Sequence, residues 1–165
     1  MAENKYSPIS KALFIKLKSI PPNLSNYYPC KVTLKNGQMI DCVYVVELQT
    51  YVKTWGKYPN ENDGKTMVSI DDVVEIEESP ARLPNQIANK LYKAGETGMG
   101  YTIATFIFKD GTKQSLINAH DFIEYPSGKN KDDVRDVLPH KGQKDSNLKD
   151  GPNFYYCIYS GIYDI

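Results

Sequence analysis

The strongest structural signal in this sequence is the pair Asn36-Gly37, which separates two runs of alternating apolar and polar residues. Asn-Gly favours a tight β-hairpin turn because both residues tolerate positive φ. A two-residue turn would place Asp41 on the apolar face, whereas a three-residue turn from Lys35 to Gly37 gives a mostly apolar face. That face contains Cys30, Val32, Leu34, Ile40, Cys42 and Tyr44. The sequence therefore predicts a three-residue turn, with Gly37 in the left-handed conformation.

A second hairpin is predicted around Lys109-Asp-Gly111. Aligning its glycine with Gly37 matches Phe-Lys-Asp-Gly to Leu-Lys-Asn-Gly. Farther along the chain, Asp72–Ile76 matches Asp121–Tyr125 in pattern, which leaves about 25 additional residues in the first unit. Those residues include Tyr51, Trp55 and Tyr58. Two explanations stay open: a duplicated small-barrel unit, or the turn chemistry that all hairpins share.

The remaining pattern predicts two helices and several strands. Residues 7–18 favour a short helix with Ser7 as its cap, although their period-two spacing also permits a strand. A second helix is predicted over 84–94, ending at Gly95. Further strands are expected at Thr50–Trp55, at Asp121–Tyr125 and at residues 154–159. Met67–Ile76 is expected to form two short strands around a turn at Asp71-Asp72. Residues 126–153 are expected to form a long polar connection.

These elements predict an α+β protein that is mainly β. The core is expected to be an SH3-like small barrel or a strongly bent antiparallel sheet, with two related β units joined by a helix. The length of 165 residues fits one ordinary domain or two very small ones, and we expect one compact domain over residues 1–165. Within it we expect one sub-unit at 24–79, a second at 99–126 and a terminal strand at 154–159, linked by the helix at 84–94.

Charge and cysteine content narrow the classes of partner. Lysine plus arginine and aspartate plus glutamate each number 20, so the chain has no uniformly basic coat for nucleic acid. Only Arg82 and Arg135 supply the guanidinium fork that favours phosphate. No apolar run reaches the roughly 18 residues of a membrane helix, and no secretory signal is evident. Three cysteines do not form a disulfide framework. We expect a soluble cytoplasmic protein without membrane association.

Residues 29–78 resemble an Sm-like domain, the small SH3-like β-barrel of RNA-associated proteins. The stretch Val32–Tyr44 resembles the first motif of that family, and Val68–Ile76 resembles the apolar spacing of the second. The family also has a preceding helix, which residues 7–18 could supply. The resemblance implies a small-barrel fold.

The residues that serve RNA binding in the Sm-like family are not matched. Glu47–Lys53 lacks the asparagine that helps to hold a uridine-type base, and Asp71-Asp72 stands where the family has a cation followed by glycine. Cys42 stands where the first motif usually has glycine. The resemblance therefore does not carry the RNA site over to this chain.

No motif indicates catalysis, a cofactor or a metal. The glycine-rich stretch Gly95–Gly100 follows a helix and precedes a strand, the reverse of a phosphate-binding loop. His120 and His140 have no second ligand at metal-binding spacing, and no nucleophile lies in a recognisable elbow. Cys30 and Cys42 are expected to face each other as buried small side chains, with a redox pair as the alternative. We therefore predict no catalytic, cofactor-binding or metal-binding residue and favour a protein that is not an enzyme.

The candidate partner-binding residues are three aromatic side chains and two flanking cations: Tyr51, Trp55, Tyr58, Lys53 and Lys57. These rings could cover the core, bind a partner or stack on bases. The preferred hypothesis is an interaction module that binds a protein partner or itself, through these rings or the terminal tyrosines. One alternative is single-stranded nucleic-acid binding through the Sm-like part, which the charge balance disfavours. Another is an enzyme with a site near Gly95–Tyr101 and His120.

Overall fold

The computed structural model describes residues 6–59, 66–95, 101–140 and 148–161. The contacts divide the chain into two compact units, Met1–Ser79 with Phe154–Ile165 and Pro80–Asn153. Strands predominate over helices, which confirms the α+β class. Each unit contains one four-stranded sheet, and neither sheet closes into a barrel in the described ranges.

The helices and strands follow one another along the chain. They are α1 (Lys11–Lys18), β1 (Tyr28–Leu34), β2 (Met39–Glu47), α2 (Leu48–Trp55), β3 (Val73–Glu78), α3 (Asn85–Ala94), β4 (Ile103–Phe108), β5 (Lys113–Ile117), β6 (Val134–Pro139), β7 (Lys149–Asp150) and β8 (Tyr155–Tyr159). The first unit has the strand order β3-β1-β2-β8 and the second has β6-β4-β5-β7. In both sheets the last strand runs parallel to its neighbour and the other pairs are antiparallel.

The hairpin of β1 and β2 has the predicted three-residue turn. The Gly37 N–H donates to the Leu34 carbonyl at 2.9 Å, and the Leu34 N–H donates to the Gln38 carbonyl at 2.8 Å. Gly37 has a φ of 87°, in the left-handed region that glycine adopts without steric cost. The turn and its glycine are therefore confirmed.

The predicted single apolar face is wrong beyond a β-bulge in β2. Val32 pairs with Ile40 but Cys30 pairs with Val43, so Asp41 and Cys42 together oppose one residue of β1. The Asp41 carboxylate accepts from the Cys42 N–H at 2.7 Å, and Cys42 has a φ of 58°. The bulge turns Val43 toward the core in place of Cys42. The predicted pairing of Cys30 with Cys42 is consequently wrong.

Helix α1 packs against the core face of the first sheet with Phe14 and Leu17 buried. It begins at Lys11, later than predicted, because Ser10 rather than Ser7 accepts the Leu13 N–H at 3.2 Å. The residues of this core come from helices, strands and the loops between them: Ile9, Phe14, Leu17, Ile20, Tyr28, Cys30, Val32, Val43, Val45, Val68, Ile70, Val73, Ile76, Cys157 and Tyr159.

The predicted strand at Thr50–Trp55 is instead part of α2. The Glu47 carboxylate caps this helix by accepting the backbone N–H groups of Gln49 and Thr50. Leu48 and Tyr51, three residues apart, are both buried and lie on one side of the helix. The strand prediction is therefore wrong, because the cap at Glu47 and the spacing of Leu48 and Tyr51 are those of a helix.

The segment Met67–Ile76 contains one strand, not two. Met67 forms only an isolated bridge with Tyr156. Residues Ile70–Asp72 form a 3₁₀ helix at the predicted aspartate turn, and β3 follows it. The Ser69 hydroxyl caps the 3₁₀ helix by accepting the Asp71 N–H at 3.3 Å.

The second unit confirms the helix predicted over 84–94, since α3 begins one residue later and ends at Ala94 with Gly95 as its C-cap. The hairpin of β4 and β5 turns over Lys109-Asp-Gly111, as predicted. The strand predicted at Asp121–Tyr125 is wrong, because only Phe122 bridges to Arg82. Residues 126–153 are not a plain connection either, since they include a 3₁₀ helix, β6 and β7.

Candidate binding surface on the first unit

Six aromatic rings of the first unit pack together on the side of β2 and β8 that α2 covers. We call them the aromatic cluster: Tyr27, Tyr44, Tyr51, Trp55, Phe154 and Tyr156. Strand β2 supplies Tyr44, α2 supplies Tyr51 and Trp55, and β8 with the residue before it supplies the last two. The bulge in β2 is what turns Tyr44 away from the α1 core and into this cluster.

The centre of the cluster is set by strand pairing. Tyr44 and Tyr156 are partners in the parallel ladder of β2 and β8, and their rings stack with centroids 5.5 Å apart at 26°. The Tyr51 ring meets the Tyr156 ring edge-on at 5.6 Å and 86°. Such stacked and edge-to-face pairs add to the free energy of area burial. The centre of the cluster is therefore built on two strands and one helix.

Exposure divides the aromatic cluster into a buried base and an accessible rim. Tyr51 is 0% exposed and Tyr156 is 5% exposed, whereas Trp55 is 41% and Phe154 39% exposed. The Trp55 ring rests on Tyr51 with centroids 6.2 Å apart, and Phe154 rests edge-on against Tyr156 at 5.9 Å. Two large rings thus reach solvent from a buried aromatic support.

The predicted partner-binding residues have different positions relative to this surface. Tyr51 contributes to its buried base and Trp55 to its rim, while Tyr58 is half-buried. Lys53 and Lys57 are exposed. Among the described residues, neither of these lysines forms an ion pair.

Tyr27 has the least satisfied polar group of the cluster. Its side chain is 4% exposed, and its hydroxyl is buried with no hydrogen-bond partner. Thr54 and Trp55 border the hydroxyl without meeting hydrogen-bond geometry, and burial raises the pKa of the phenol despite both of them. A buried donor without an acceptor costs about 1–3 kcal/mol. The fold tolerates this cost at the edge of α2.

The loop before β1 holds Tyr27 in this position. The Asn23 side chain accepts the N–H groups of Ser25 at 2.9 Å and Tyr27 at 3.0 Å. The Asn23 N–H donates to the Tyr27 carbonyl at 2.7 Å, and Asn26 has a φ of 66°. The buried hydroxyl is therefore fixed by a closed turn.

Sequence reasoning missed Tyr27, Tyr44 and Phe154 as members of the cluster. The bulge at Asp41 and Cys42 reverses the face of Tyr44, and strand alternation alone gives no sign of it. The density of tyrosine around β1 and β8 was the available signal, and the terminal tyrosines had been named as a second place for an aromatic patch.

The other candidate positions, Gly95–Gly100, His120 and His140, belong to the second unit. Most of the glycine-rich stretch Gly95–Gly100 lies outside the described residues. His140 is not isolated, since its Nε2 lies 2.6 Å from the Thr105 hydroxyl, which in turn lies 2.7 Å from the Ser115 hydroxyl. Across the described ranges, no three histidine, cysteine or acidic side chains form a group that could hold a metal ion. No helix in those ranges is long and apolar enough to cross a membrane.

No family model, curated protein or solved structure matches the chain.

Proposed function

We propose that this protein is a non-enzymatic interaction module, which binds a protein partner or a second copy of itself through the rim of the aromatic cluster. One observation carries the proposal: Trp55 and Phe154 are each about two-fifths exposed while the rings beneath them are buried. Monomeric proteins place most large rings inside, so exposed rings on a rigid base favour a contact surface.

The physical argument rests on anchoring. Tryptophan and other large aromatic side chains contribute most to interface hot spots, because they bury a large area at little conformational entropy. Here Trp55 and Phe154 already rest against buried rings. A partner would therefore meet two accessible rings that already have buried aromatic support.

Within this proposal, the first unit is an open variant of the Sm-like small barrel. Two features support this. A helix, a hairpin, a 3₁₀ helix and a closing strand follow one another in that order, and Cys42 has a positive φ where the family has glycine. The alternative of nucleic-acid binding has less support. The exposed carboxylates of Asp71 and Asp72 stand where that family has a cation. We further propose a cytoplasmic location.

The test is selection of binding peptides from a random 12-residue display library, together with sedimentation equilibrium over a wide concentration range. The comparison variant is the double substitution Trp55→Ala and Phe154→Ala. The matched control replaces Ile15 and Met39 with alanine, since these are exposed apolar residues of the same unit outside the cluster.

We expect enriched peptides or a reversible dimer with the unmodified protein and with the control, and a loss of either with the cluster variant. Equal behaviour of the cluster variant and the control would contradict the proposal. The absence of both peptide enrichment and self-association would also contradict it.

A further inference from the structure

We infer that the aromatic cluster binds an extended, acidic, proline-containing peptide, one of whose backbone carbonyls accepts a hydrogen bond from the Tyr27 hydroxyl. This inference rests on the proposed function and names the chemistry of the partner at the same surface.

The first step concerns the donor. The Tyr27 hydroxyl has no partner and is bordered by Thr54 and Trp55 at the C-terminal end of α2. The Trp55 side chain is 41% exposed and rests on Tyr51 at a tilt of 44°. Exposed side chains change rotamer within nanoseconds. Rotation of the Trp55 ring would open the Tyr27 hydroxyl to a ligand that offers an acceptor.

The second step concerns the backbone of the ligand. In helices and paired strands, most backbone carbonyl groups already accept a hydrogen bond. A polyproline II segment has no internal hydrogen bonds, so its carbonyls are free to accept one from a partner. Such a segment also loses little entropy on binding, and its flat rings pack against aromatic side chains. Trp55 and Phe154 supply the exposed rings, and Tyr27 supplies the donor.

The third step concerns charge. Lys53 and Lys57 flank Trp55 in sequence, are exposed and have no ion-pair partner among the described residues. The positive charge of two lysines balances the negative charge of one or two carboxylates in a short peptide. A nucleic-acid strand carries a charge at every phosphate and needs several cations.

Trp55 also supplies the measurement, because it is the single tryptophan of the chain. Its fluorescence would be followed while the full-length protein is titrated with a synthetic peptide of four Glu-Pro-Pro repeats. The comparison probes are four Lys-Pro-Pro repeats, four Glu-Gly-Ser repeats and a 12-residue oligouridylate. We expect a saturable blue shift with the first probe, weakened by salt, and binding at least about tenfold weaker with the other three.

Two variants separate the proposed contacts from general stability. Tyr27→Phe keeps the ring and removes the hydroxyl, so we expect an unchanged or higher melting temperature and about tenfold weaker peptide binding. Lys53→Gln with Lys57→Gln should weaken binding several-fold. The matched pair Lys11→Gln and Lys16→Gln, exposed on α1, should leave binding unchanged.

The inference is overturned if Tyr27→Phe and the Lys53/Lys57 variant bind the Glu-Pro-Pro peptide as the unmodified protein does. It is also overturned if the Lys-Pro-Pro peptide binds equally well. Display-selected peptides of a different chemistry would overturn it while leaving the proposed function in place. Tighter binding of the oligouridylate than of any peptide would overturn both.

Discussion

In the first unit α1 packs on β3, and in the second α3 packs on β6. Each helix is followed by a hairpin, a 3₁₀ helix and a closing strand that pairs with the first strand of the hairpin. The hairpin turn is tied to the 3₁₀ helix in the same way in both units: the Lys35 N–H donates to the Asp72 carbonyl at 2.8 Å, and the Lys109 N–H donates to the Asp133 carbonyl at 2.8 Å. The two units therefore share one topology and one set of turn contacts.

The units differ between the second hairpin strand and the closing strand. Gly37 precedes Val73 by 36 residues, whereas Gly111 precedes Val134 by 23, so the first unit has 13 more residues there. That segment contains α2, while residues 118–130 of the second unit contain no helix. The last strand also differs, with five residues in β8 and two in β7. The shared parts form the scaffold, and the aromatic cluster combines two shared strands, which carry Tyr44 and Tyr156, with α2, which the described part of the second unit lacks.

The largest expected effect separates the base of the cluster from its rim. Tyr51→Ala should lower the free energy of unfolding by about 3–5 kcal/mol, as large buried side chains do when truncated. Trp55→Ala should lower it by about 1–2 kcal/mol, because much of that ring is already exposed. Urea denaturation followed by circular dichroism measures both changes. Equal losses for the two variants would mean that the cluster has no accessible rim.

The hairpins of the two units could be predicted from the sequence, whereas the match between their closing strands could not. The turns at Gly37 and Gly111 were predictable because the required left-handed φ restricts the residue type. The predicted equivalence of Asp72–Ile76 with Asp121–Tyr125 is wrong, because the closing strand of the second unit is β6. The better signal was the sequence Asp-Asp-Val at 71–73 and again at 132–134.

The physical reason for that repeated sequence appears only in the fold. Each Asp-Asp pair ends a capped 3₁₀ helix, and the valine starts the closing strand. The aromatic cluster was less predictable, because the bulge at Cys42 reverses the direction of Tyr44 and because Phe154 comes from the far end of the chain. Of the six rings of the cluster, Tyr51 and Trp55 are the two that the local sequence names by number.

A smaller effect tests whether the two hairpins are equivalent. Gly37 and Gly111 have φ values of 87° and 90°, and a Cβ at either would meet no atom within 4 Å. Replacement by valine should therefore cost only backbone strain, about 1–3 kcal/mol at each position. Asparagine, which tolerates the left-handed region, should cost less at both. Thermal unfolding of the four variants provides the measurement, and sensitivity of one glycine alone would break the equivalence.

The smallest expected change in stability comes from the one position at which the two turns differ in charge. Asn36 and Asp110 occupy the same turn position, and each side chain accepts the N–H two residues later at 2.9 Å. Hydrogen bonds from Lys129 first, and then from Thr112, lower the pKa of Asp110 below its usual value of 3.8. A carboxyl whose folded pKa is lowered stabilises the fold above its unfolded pKa, and this stabilisation is lost as the pH falls through the folded value.

Asp110→Asn should accordingly be slightly less stable than the unmodified protein at pH 6, with the difference shrinking below about pH 4. Denaturant midpoints at pH 6 and pH 2.5 give the comparison. Asn36→Ala, which has no carboxyl to titrate, is the control and should change stability by a similar amount at both values. A pH-independent difference for Asp110→Asn would show that Lys129 does not hold this carboxylate in solution.

The central claim is that the first unit binds its partner through the rim of the aromatic cluster, and backbone amide chemical-shift mapping tests it most directly. The labelled full-length protein would be titrated with the strongest display-selected peptide. The account predicts shifts centred on Tyr27, the C-terminal half of α2 and Phe154, with the turns at Gly37 and Gly111 unchanged. Shifts centred on the hairpin turns or on α3, with Trp55 and Phe154 unaffected, would contradict it.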